Sequence, residues 1–284
     1  MSNIQQFSGY QPTWCPGCGN FARSQALKQA LIELGFTPSS IIAVFGIGCA
    51  GNENDFLNAY AIHSLHGRAI PNAIGAKLAN HKMEVIVITG DGDCYGEGGN
   101  HFLHACRGNH DITVIVSDNG VYGLTTGQTA PTSQKGFKTK STPDGAIEVP
   151  INPLTLAISQ GATFVGQGFV IELAHLKEII KAGIKHKGFS LINVLQPCVT
   201  FNKINTYNYY RQHTYKLSQD YDKKDINKAF KIAQEMTLKD KFPLGIIYEV
   251  NQPTFIDRLP QLKNKTLIGR ERFLDFKTIL EDFK

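Results

Sequence analysis

The stretch Val85-Ile86-Val87-Ile88-Thr89-Gly90-Asp91-Gly92-Asp93 runs from a continuous apolar segment into acidic residues separated by glycine. Such an apolar run, rich in β-branched residues, predicts a strand buried on both faces of a parallel sheet. Asn119 follows a similar run at 112–116, so we expect both polar groups at strand ends. Carboxylate and amide oxygens suit a hard divalent cation, and glycine lets the backbone approach a diphosphate closely. The stretch therefore predicts a metal and diphosphate site.

Apolar runs of strand length alternate with segments of helical period along most of the chain. The further strands are predicted at 41–45, 112–116 and 191–195, and the helices at 21–34, 67–81, 97–107, 153–160 and 172–187. This alternation predicts an α/β fold with a doubly wound, mostly parallel sheet. In such folds ligands bind at the carboxyl ends of the strands, where Gly46-Ile47-Gly48-Cys49, Asp91 and Asn119 all fall.

The pattern changes in two later segments. Residues 127–150 are broken by glycines and prolines, which predicts a long loop of the kind that often covers or builds a binding site. After residue 198 the alternation weakens, although a helix is predicted at 225–235 and a strand at 244–250. We therefore expect a ligand-binding domain at 1–198 and a C-terminal extension at 199–284 that wraps the core or a partner subunit.

Composition excludes several classes of protein. The 284 residues are 42% hydrophobic and 19% charged, which is typical of a globular chain with a substantial core. The net charge of +5 is mild and scattered, so no nucleic-acid partner is predicted. No apolar run reaches the roughly 18 residues of a membrane helix. The start at 1–6 lacks the basic and apolar regions of a secretion signal, so the chain is predicted to be cytoplasmic and free of membranes.

The cysteines form the second pattern. They are Cys15, Cys18, Cys49, Cys94, Cys106 and Cys198. Cys94 and Cys106, beside or within a predicted helix, are expected to be packing residues. Disulfides are not expected in a cytosolic chain, so a metal or redox role is favoured for the close pair Cys15 and Cys18. The Cys-x-x-Cys unit alone is compatible with zinc or with iron and sulfide, whereas one close pair joined by two distant cysteines fits a cuboidal iron–sulfur cluster.

Ordered motifs identify a family. They are Trp14-Cys15-Pro16-Gly17-Cys18-Gly19-Asn20, Gly46-Ile47-Gly48-Cys49, Ser64-Leu65-His66-Gly67-Arg68, Gly90-Asp91-Gly92-Asp93, Asp118-Asn119-Gly120-Val121-Tyr122-Gly123-Leu124-Thr125-Thr126-Gly127-Gln128 and Gln196-Pro197-Cys198-Val199-Thr200-Phe201-Asn202. Together they closely resemble the β subunit of the 2-oxoacid:ferredoxin oxidoreductases. The resemblance covers nearly the whole chain and implies a fold of the thiamine diphosphate-binding type.

The resemblance also implies cofactors, partners and a reaction. The cofactors are thiamine diphosphate, Mg²⁺ and one 4Fe-4S cluster. The reaction is oxidative decarboxylation of a 2-oxoacid, of the pyruvate or 2-oxoglutarate class, with coenzyme A to acyl-CoA and carbon dioxide, and its electrons pass through the cluster to ferredoxin. The partner is an α subunit in an αβ or (αβ)2 assembly. This subunit would supply the glutamate that activates thiamine, so the chain alone is expected to be inactive.

The family's site residues can be carried over motif by motif. By resemblance, Asp91, Asn119 and the backbone carbonyl of Val121 would bind Mg²⁺. The cluster ligands would be Cys15, Cys18, Cys49 and Cys198. The residues around thiamine diphosphate would be Ile47, Gly48, Cys49, Ala50, His66, Gly92, Asp93, Gly123 and Leu124. His66 would contact cofactor or substrate, and Thr125 and Thr126 would belong to the substrate loop. Some relatives carry a lysine where Thr126 stands, so the preferred 2-oxoacid stays open.

Other interpretations of the same residues remain open. A subunit of a non-oxidative thiamine diphosphate-dependent 2-oxoacid decarboxylase would keep Asp91 and Asn119 but would not need four cysteines. A non-enzymatic metal-binding scaffold would need the cysteines but not the acidic motif. Singly, Asp91 and Asn119 could cap helices or turns, and Arg68 could bind a carboxylate or make an ordinary surface contact.

Overall fold

The buried apolar runs form the strands of a single sheet. In the computed structural model, residues 4–263, 265–270, 275–281 and 283 are described. The strands are β1 (Ile41–Phe45), β2 (Tyr60–His63), β3 (Glu84–Gly90), β4 (Thr113–Asp118), β5 (Phe164–Phe169), β6 (Ser190–Leu195), β7 (Thr214–Lys216) and β8 (Phe242–Glu249). Their order in the eight-stranded sheet is β2-β1-β3-β4-β6-β5-β8-β7. All five strands predicted from the sequence are confirmed: β1, β3, β4 and β6 lie side by side, and β8 corresponds to the strand predicted at 244–250.

Most of the sheet is parallel, and its register aligns the strand ends that carry the motifs. The six strands from β2 to β5 in this order run parallel, whereas β8 pairs antiparallel with β5. Gly90 at the end of β3 pairs with Ser117 in β4, and Asp118 pairs with Leu195 in β6. The segments that follow these strands therefore leave the sheet at one edge.

Helices cover both faces of the sheet. They are α1 (Asn20–Glu33), α2 (Ala69–Ala79), α3 (Gly99–Gly108), α4 (Pro153–Ser159), α5 (Leu173–Lys185), α6 (Tyr207–His213), α7 (Ile226–Ala233), α8 (Glu235–Leu238) and α9 (Phe276–Glu281). Alternate side chains of β3 point to opposite faces. Ile86 and Ile88 join a hydrophobic cluster with α1 and α5, whereas Val85 and Val87 join a second cluster with α2 and α3. This arrangement confirms the predicted doubly wound α/β fold.

Two later segments complete the sheet's surroundings. Residues 127–150 contain no helix or strand, which confirms the predicted long loop. Within the predicted extension at 199–284, β7 and β8 join the same sheet, so its strands come from both sides of the predicted boundary at 198. None of the described helices is both long enough and apolar enough to cross a lipid bilayer.

A buried ion pair connects α1 to the segment after β1. The guanidinium of Arg23 donates to the carboxylate of Glu53, and both side chains are fully buried. Arg23 also donates to Ser117 Oγ and to Asn20 Oδ1, each at 3.3 Å. Burial lowers the pKa of Arg23 to about 9. The guanidinium therefore depends on Glu53 for compensation of its charge.

We expect Glu53→Gln to lower the free energy of unfolding by about 3–5 kcal/mol, because it leaves a buried cation without its counterion. Urea unfolding followed by fluorescence of Trp14, whose ring lies 6.0 Å from the Arg23 guanidinium carbon, measures the effect. Glu33→Gln is the matched control. Its ion pairs with Lys177 and Lys181 lie at the surface, so the unfolding midpoint should hardly move. Equal midpoint shifts in the two variants would contradict the prediction.

Candidate functional site

A cavity lies at the carboxyl ends of β1, β3 and β4, where the loops that follow these strands meet. It is lined by almost all of the residues that the family resemblance assigns to the binding of thiamine diphosphate, Mg²⁺ and substrate. They are Ile47, Gly48, Cys49, Ala50, His66, Asp91, Gly92, Asp93, Asn119, Val121, Gly123, Leu124 and Thr125. Thr126 does not line this cavity. We call it the first cavity.

Two buried carboxyl groups lie beside the first cavity. Asp91 Oδ2 accepts the backbone N–H of Gly120 at 2.9 Å and the hydroxyl of Thr132. Asp118 Oδ2 accepts Asn193 Nδ2 at 3.1 Å. Burial raises the pKa of both Asp91 and Asp118, and the groups that oppose this rise are hydrogen-bond donors rather than cations. A divalent cation would supply the missing positive charge, so the site suits one.

The oxygen donors near Asp91 are of the type that Mg²⁺ prefers. Asn119 Oδ1 accepts the backbone N–H of Val121 at 3.0 Å, which folds this turn so that both residues line the first cavity. One carboxylate, one amide oxygen and one backbone carbonyl form a hard oxygen set. Among the described residues, no group of three or more His, Cys, Asp or Glu side chains is close enough to hold a single ion. The hard oxygen set contains only one side chain of these four types, that of Asp91, so it is compatible with this finding.

Asp93 fixes the orientation of His66. Asp93 Oδ1 lies 2.7 Å from His66 Nδ1 and accepts the backbone N–H of Gly67 at 2.7 Å, and Oδ2 accepts the Thr89 hydroxyl at 2.6 Å. Both side-chain oxygens of Asp93 are therefore engaged within the protein. A carboxylate at Nδ1 sets the tautomer and the ring orientation, so a ligand would meet Nε2 of His66. Arg68 instead donates to the backbone carbonyl groups of Gly67 and Glu97, at 3.3 and 3.2 Å.

The loop that contains Thr125 and Thr126 is closed by its own hydrogen bonds. Tyr122 N donates to Gln128 O at 2.9 Å, and Gln128 Nε2 donates to Thr125 O at 2.8 Å. Thr126 has a φ of 77°, which is unusual for a β-branched residue. Such strained positions persist where the surrounding structure holds them and are frequent in binding loops.

The four cysteines carried over as cluster ligands line a second cavity. Cys15, Cys18, Cys49 and Cys198 surround a space of about 210 Å³, together with Trp14 and Gln196 among others, and none forms a disulfide. A Cβ atom at Gly123 would lie 3.6 Å from both Cys49 Sγ and Cys198 Sγ, although these cysteines are distant in sequence. Four soft sulfur donors around one cavity suit a cuboidal cluster, whose ligands lie farther apart than those of a single ion.

The two remaining cysteines lie away from this cavity. Cys94 and Cys106 are buried in the hydrophobic cluster between the sheet, α2 and α3. Burial raises the pKa of both thiols well above the usual range, as in an apolar interior. Their predicted role as packing residues is confirmed.

The two cavities share a wall. Cys49, Asn119, Gly123 and Leu124 line both of them. Cys49 belongs to the loop after β1, and the other three belong to the loop after β4. A group bound in the first cavity and a group bound in the second would therefore be separated by one layer of protein.

Gly92 allows the close approach of an aromatic ring in the wall of the first cavity. A Cβ atom at Gly92 would lie 2.2 Å from Tyr122 Cε1, whereas Tyr122 donates its hydroxyl to Gly92 O at 3.1 Å. We expect Gly92→Ala to cost about 1–3 kcal/mol of stability by overpacking. In Gly99→Ala, the control in α3, no atom beyond the chain neighbours and the adjacent helix backbone lies within 4 Å of the added methyl group, so stability should hold or rise. Thermal unfolding compares them, and equal melting temperatures would contradict the prediction.

Several contacts in the site could not be predicted from the sequence motifs. Thr132 reaches Asp91 from the loop at 127–150, and Ser117 lines the first cavity while accepting from Arg23. Trp14 donates Nε1 to the carbonyl of Cys49 at 2.6 Å. Trp14 and Asp118 belong to the family motifs, but the motifs assign a contact to neither of them.

Comparison with known families agrees with this geometry. Residues 46–194 match the family described as thiamine pyrophosphate enzyme, C-terminal TPP binding domain. Residues 198–264 match the family that describes the C-terminal part of the pyruvate ferredoxin oxidoreductase beta subunit. The two matches lie on either side of the end of β6.

Individual relatives give the same result. The chain is 49% identical over 247 residues to the 2-oxoacid:ferredoxin oxidoreductase subunit beta of Saccharolobus solfataricus, with 83% of this chain and 81% of the relative covered. It is 44% identical to the corresponding subunit of Sulfolobus sp, with 91% of each chain covered. A solved structure of 2-oxoglutarate:ferredoxin oxidoreductase from Magnetococcus marinus, with 2-oxoglutarate, coenzyme A and succinyl-CoA bound, superposes with a TM-score of 0.92 at 35% identity, covering 100% of this chain and 97% of that one. The chain therefore belongs to the β subunits of the 2-oxoacid:ferredoxin oxidoreductases.

Proposed function

We propose that the chain holds thiamine diphosphate and Mg²⁺ in the first cavity and one 4Fe-4S cluster in the second. With an α subunit and coenzyme A, it would oxidise a 2-oxoacid to acyl-CoA and carbon dioxide and pass the electrons to ferredoxin. The shared wall of Cys49, Asn119, Gly123 and Leu124 is the observation that supports this proposal most strongly. It gives electrons a short route from one cofactor to the other.

Each group of residues in the first cavity has a distinct task. When bound, thiamine diphosphate supplies an electron sink for the loss of carbon dioxide, and the cluster accepts electrons. Asp91, Asn119 and the carbonyl of Val121 would hold Mg²⁺, and Thr132 keeps the Asp91 carboxylate in place. His66, oriented by its contact with Asp93, would bind cofactor or substrate through Nε2.

Residues around the second cavity hold the cluster and shield it. Cys15, Cys18, Cys49 and Cys198 would be its ligands. Trp14 is nearly buried, and its indole N–H fixes the carbonyl of Cys49 at 2.6 Å, which restrains the loop between the two cofactors. We propose a cytoplasmic location, because the thiols must stay reduced to bind the cluster.

The α subunit would cover the mouth of the first cavity. Leu124 exposes 49% of its surface at this mouth, and Ile147 and Val149 in the loop at 127–150 expose 84% and 67%. A subunit interface would require such exposed apolar side chains. The name "subunit beta" of the relatives supports an α partner in an αβ or (αβ)2 assembly. This partner would supply the activating glutamate and most contacts to the 2-oxoacid and coenzyme A. The net charge of +5 would favour an acidic ferredoxin.

Anaerobic co-expression with an α subunit tests the proposal. We expect the complex to reduce a viologen dye only when coenzyme A and a 2-oxoacid are present, and pyruvate and 2-oxoglutarate should be compared. The chain alone should show no turnover. Iron, sulfide and thiamine analysis separates the alternatives. Carbon dioxide release without iron would indicate a non-oxidative decarboxylase, and iron or zinc without thiamine would indicate a metal-binding scaffold.

A further inference from the structure

Gln196 presents a buried amide to one of the four cysteines. Its side chain is almost fully buried, and Nε2 lies 3.4 Å from Cys18 Sγ. The residue is fixed at its backbone, because Gln196 N donates to Asp118 O at 2.8 Å. It is also packed against Gly19, where a Cβ atom would lie 2.6 Å from Gln196 Cγ. Since a thiolate only accepts hydrogen bonds, the NH₂ group must face the sulfur when Cys18 is a metal ligand.

Asn20 presents a second buried amide to the same cavity. Its side chain is fully buried, and Oδ1 accepts from Ser117 Oγ at 3.1 Å and from Arg23 Nη2 at 3.3 Å. A guanidinium can only donate, so the oxygen must face Arg23 and the NH₂ group must point the other way. Asn20 Nδ2 has no partner among the described residues, although Asn20 lines the second cavity. An unpaired buried donor is costly, so this atom indicates a missing acceptor.

The charges nearby do not replace these donors. The buried cation Arg23 is already paired with Glu53, so it offers little net positive charge to the cavity. The polarity facing the sulfur atoms therefore comes mainly from amide groups.

We propose that Gln196 and Asn20 are positioning residues that donate N–H···S hydrogen bonds, Gln196 to the Cys18 ligand and Asn20 to the 4Fe-4S cluster, and thereby raise its reduction potential. The reduced cluster carries one more negative charge than the oxidised cluster, so amide donors stabilise the reduced state more strongly. This inference rests on the proposed function, because it requires the cluster to be present. It assigns to these two amides the control of how readily the cluster accepts an electron.

The test compares the midpoint potential of the cluster in variants of the αβ complex, purified anaerobically and titrated with EPR detection. Gln196→Met removes the donor with little change in volume, and Asn20→Leu removes the amide at similar volume without adding a charge. Each variant should lower the equilibrium constant for one-electron reduction by about tenfold, which corresponds to about 59 mV. Gln212→Met, at an exposed position of α6, is the matched control and should leave the potential unchanged.

The outcomes separate this inference from the proposed function. Wild-type complex without iron and sulfide would overturn both. Full cluster content with unchanged potentials in Gln196→Met and Asn20→Leu would overturn the inference alone. If Gln196→Met loses its cluster, wild-type complex labelled with ¹⁵N at the glutamine side chains decides the question. Pulsed EPR of the reduced cluster should detect one coupled glutamine nitrogen, and its absence would overturn the role of Gln196.

Discussion

Cys198→Ser should abolish electron transfer by the αβ complex and leave thiamine diphosphate binding intact. Cys198 lines the second cavity and is not among the residues of the first, so its loss removes a cluster ligand without touching the thiamine site. Loss of a neighbouring hydrogen-bond partner typically weakens metal binding by roughly 10–100-fold, and loss of a ligand should cost at least as much. We therefore expect dye reduction to fall about 100-fold or more, together with most of the iron and sulfide.

Cys106→Ser is the control for this variant. Its thiol is fully buried in the hydrophobic cluster beneath α3, away from both cavities, so the same substitution should leave iron content and dye reduction intact. Thiamine content, measured by fluorescence after oxidation, should match the wild type in both variants. Normal iron content and dye reduction in Cys198→Ser would contradict the assignment of Cys198 as a ligand.

The centre of the fold was predictable because its strands carry a signal in their own residues. β1, β3, β4 and β6 are continuous apolar runs, as expected for strands buried on both faces. β5 (Phe164–Phe169) was missed because Gly166 and Gly168 interrupt the run. Helix α5 packs too close to the strand for side chains at these positions. A Cβ atom at Gly166 would lie 2.8 Å from Ile179 Cγ2, and one at Gly168 would lie 2.6 Å from Leu176 Cδ1. The need for them arises from packing between elements, which no local pattern shows.

The outer parts of the sheet were missed for a different reason. All four residues of β2 (Tyr60–His63) are exposed at the edge of the sheet, so no buried face imposes an apolar pattern on them. β7 (Thr214–Lys216) has only three residues and pairs with β8 alone. A short edge strand forms because its backbone pairs with the neighbouring strand. This pairing exists only in the assembled sheet and leaves no pattern in the sequence.

In the site, residue types were predictable and their contacts were not. The motifs predicted Asp91, Asn119 and the four cysteines as site residues, because each of them follows a predicted strand or belongs to a tight sequence unit. Asp93 was expected beside the diphosphate, and the structure shows both of its side-chain oxygens engaged by Thr89, Gly67 and His66. The role of Asp93 at the diphosphate therefore stays a prediction. Contacts between distant loops depend on the fold, so they could not be read from spacing.

Asp91→Asn should abolish the binding of Mg²⁺ and thiamine diphosphate and leave the cluster in place. The substitution keeps the side chain's shape and an oxygen for the Gly120 N–H and the Thr132 hydroxyl, but it removes the one carboxylate of the proposed Mg²⁺ set. A hard cation binds a neutral amide much more weakly than a carboxylate, so we expect affinity for thiamine diphosphate with Mg²⁺ to fall roughly 100-fold or more. Calorimetric titration of the complex, stripped of thiamine, measures this loss.

Asp91→Asn should lower the affinity for thiamine diphosphate without lowering the free energy of unfolding. Asp91 and Asp118 are both buried and their charges repel each other without a cation, so removing one acidic group should leave the cofactor-free protein as stable as the wild type or more so. Asp144→Asn, in the exposed loop at 127–150, controls for the loss of a surface charge. Wild-type affinity in Asp91→Asn would exclude it as the magnesium ligand. Unfolding of the variant would mean that the Asp91 carboxylate is needed for folding. Lost affinity for thiamine diphosphate, with a full cluster and an intact fold, would show that the magnesium site and the cluster site are independent of each other.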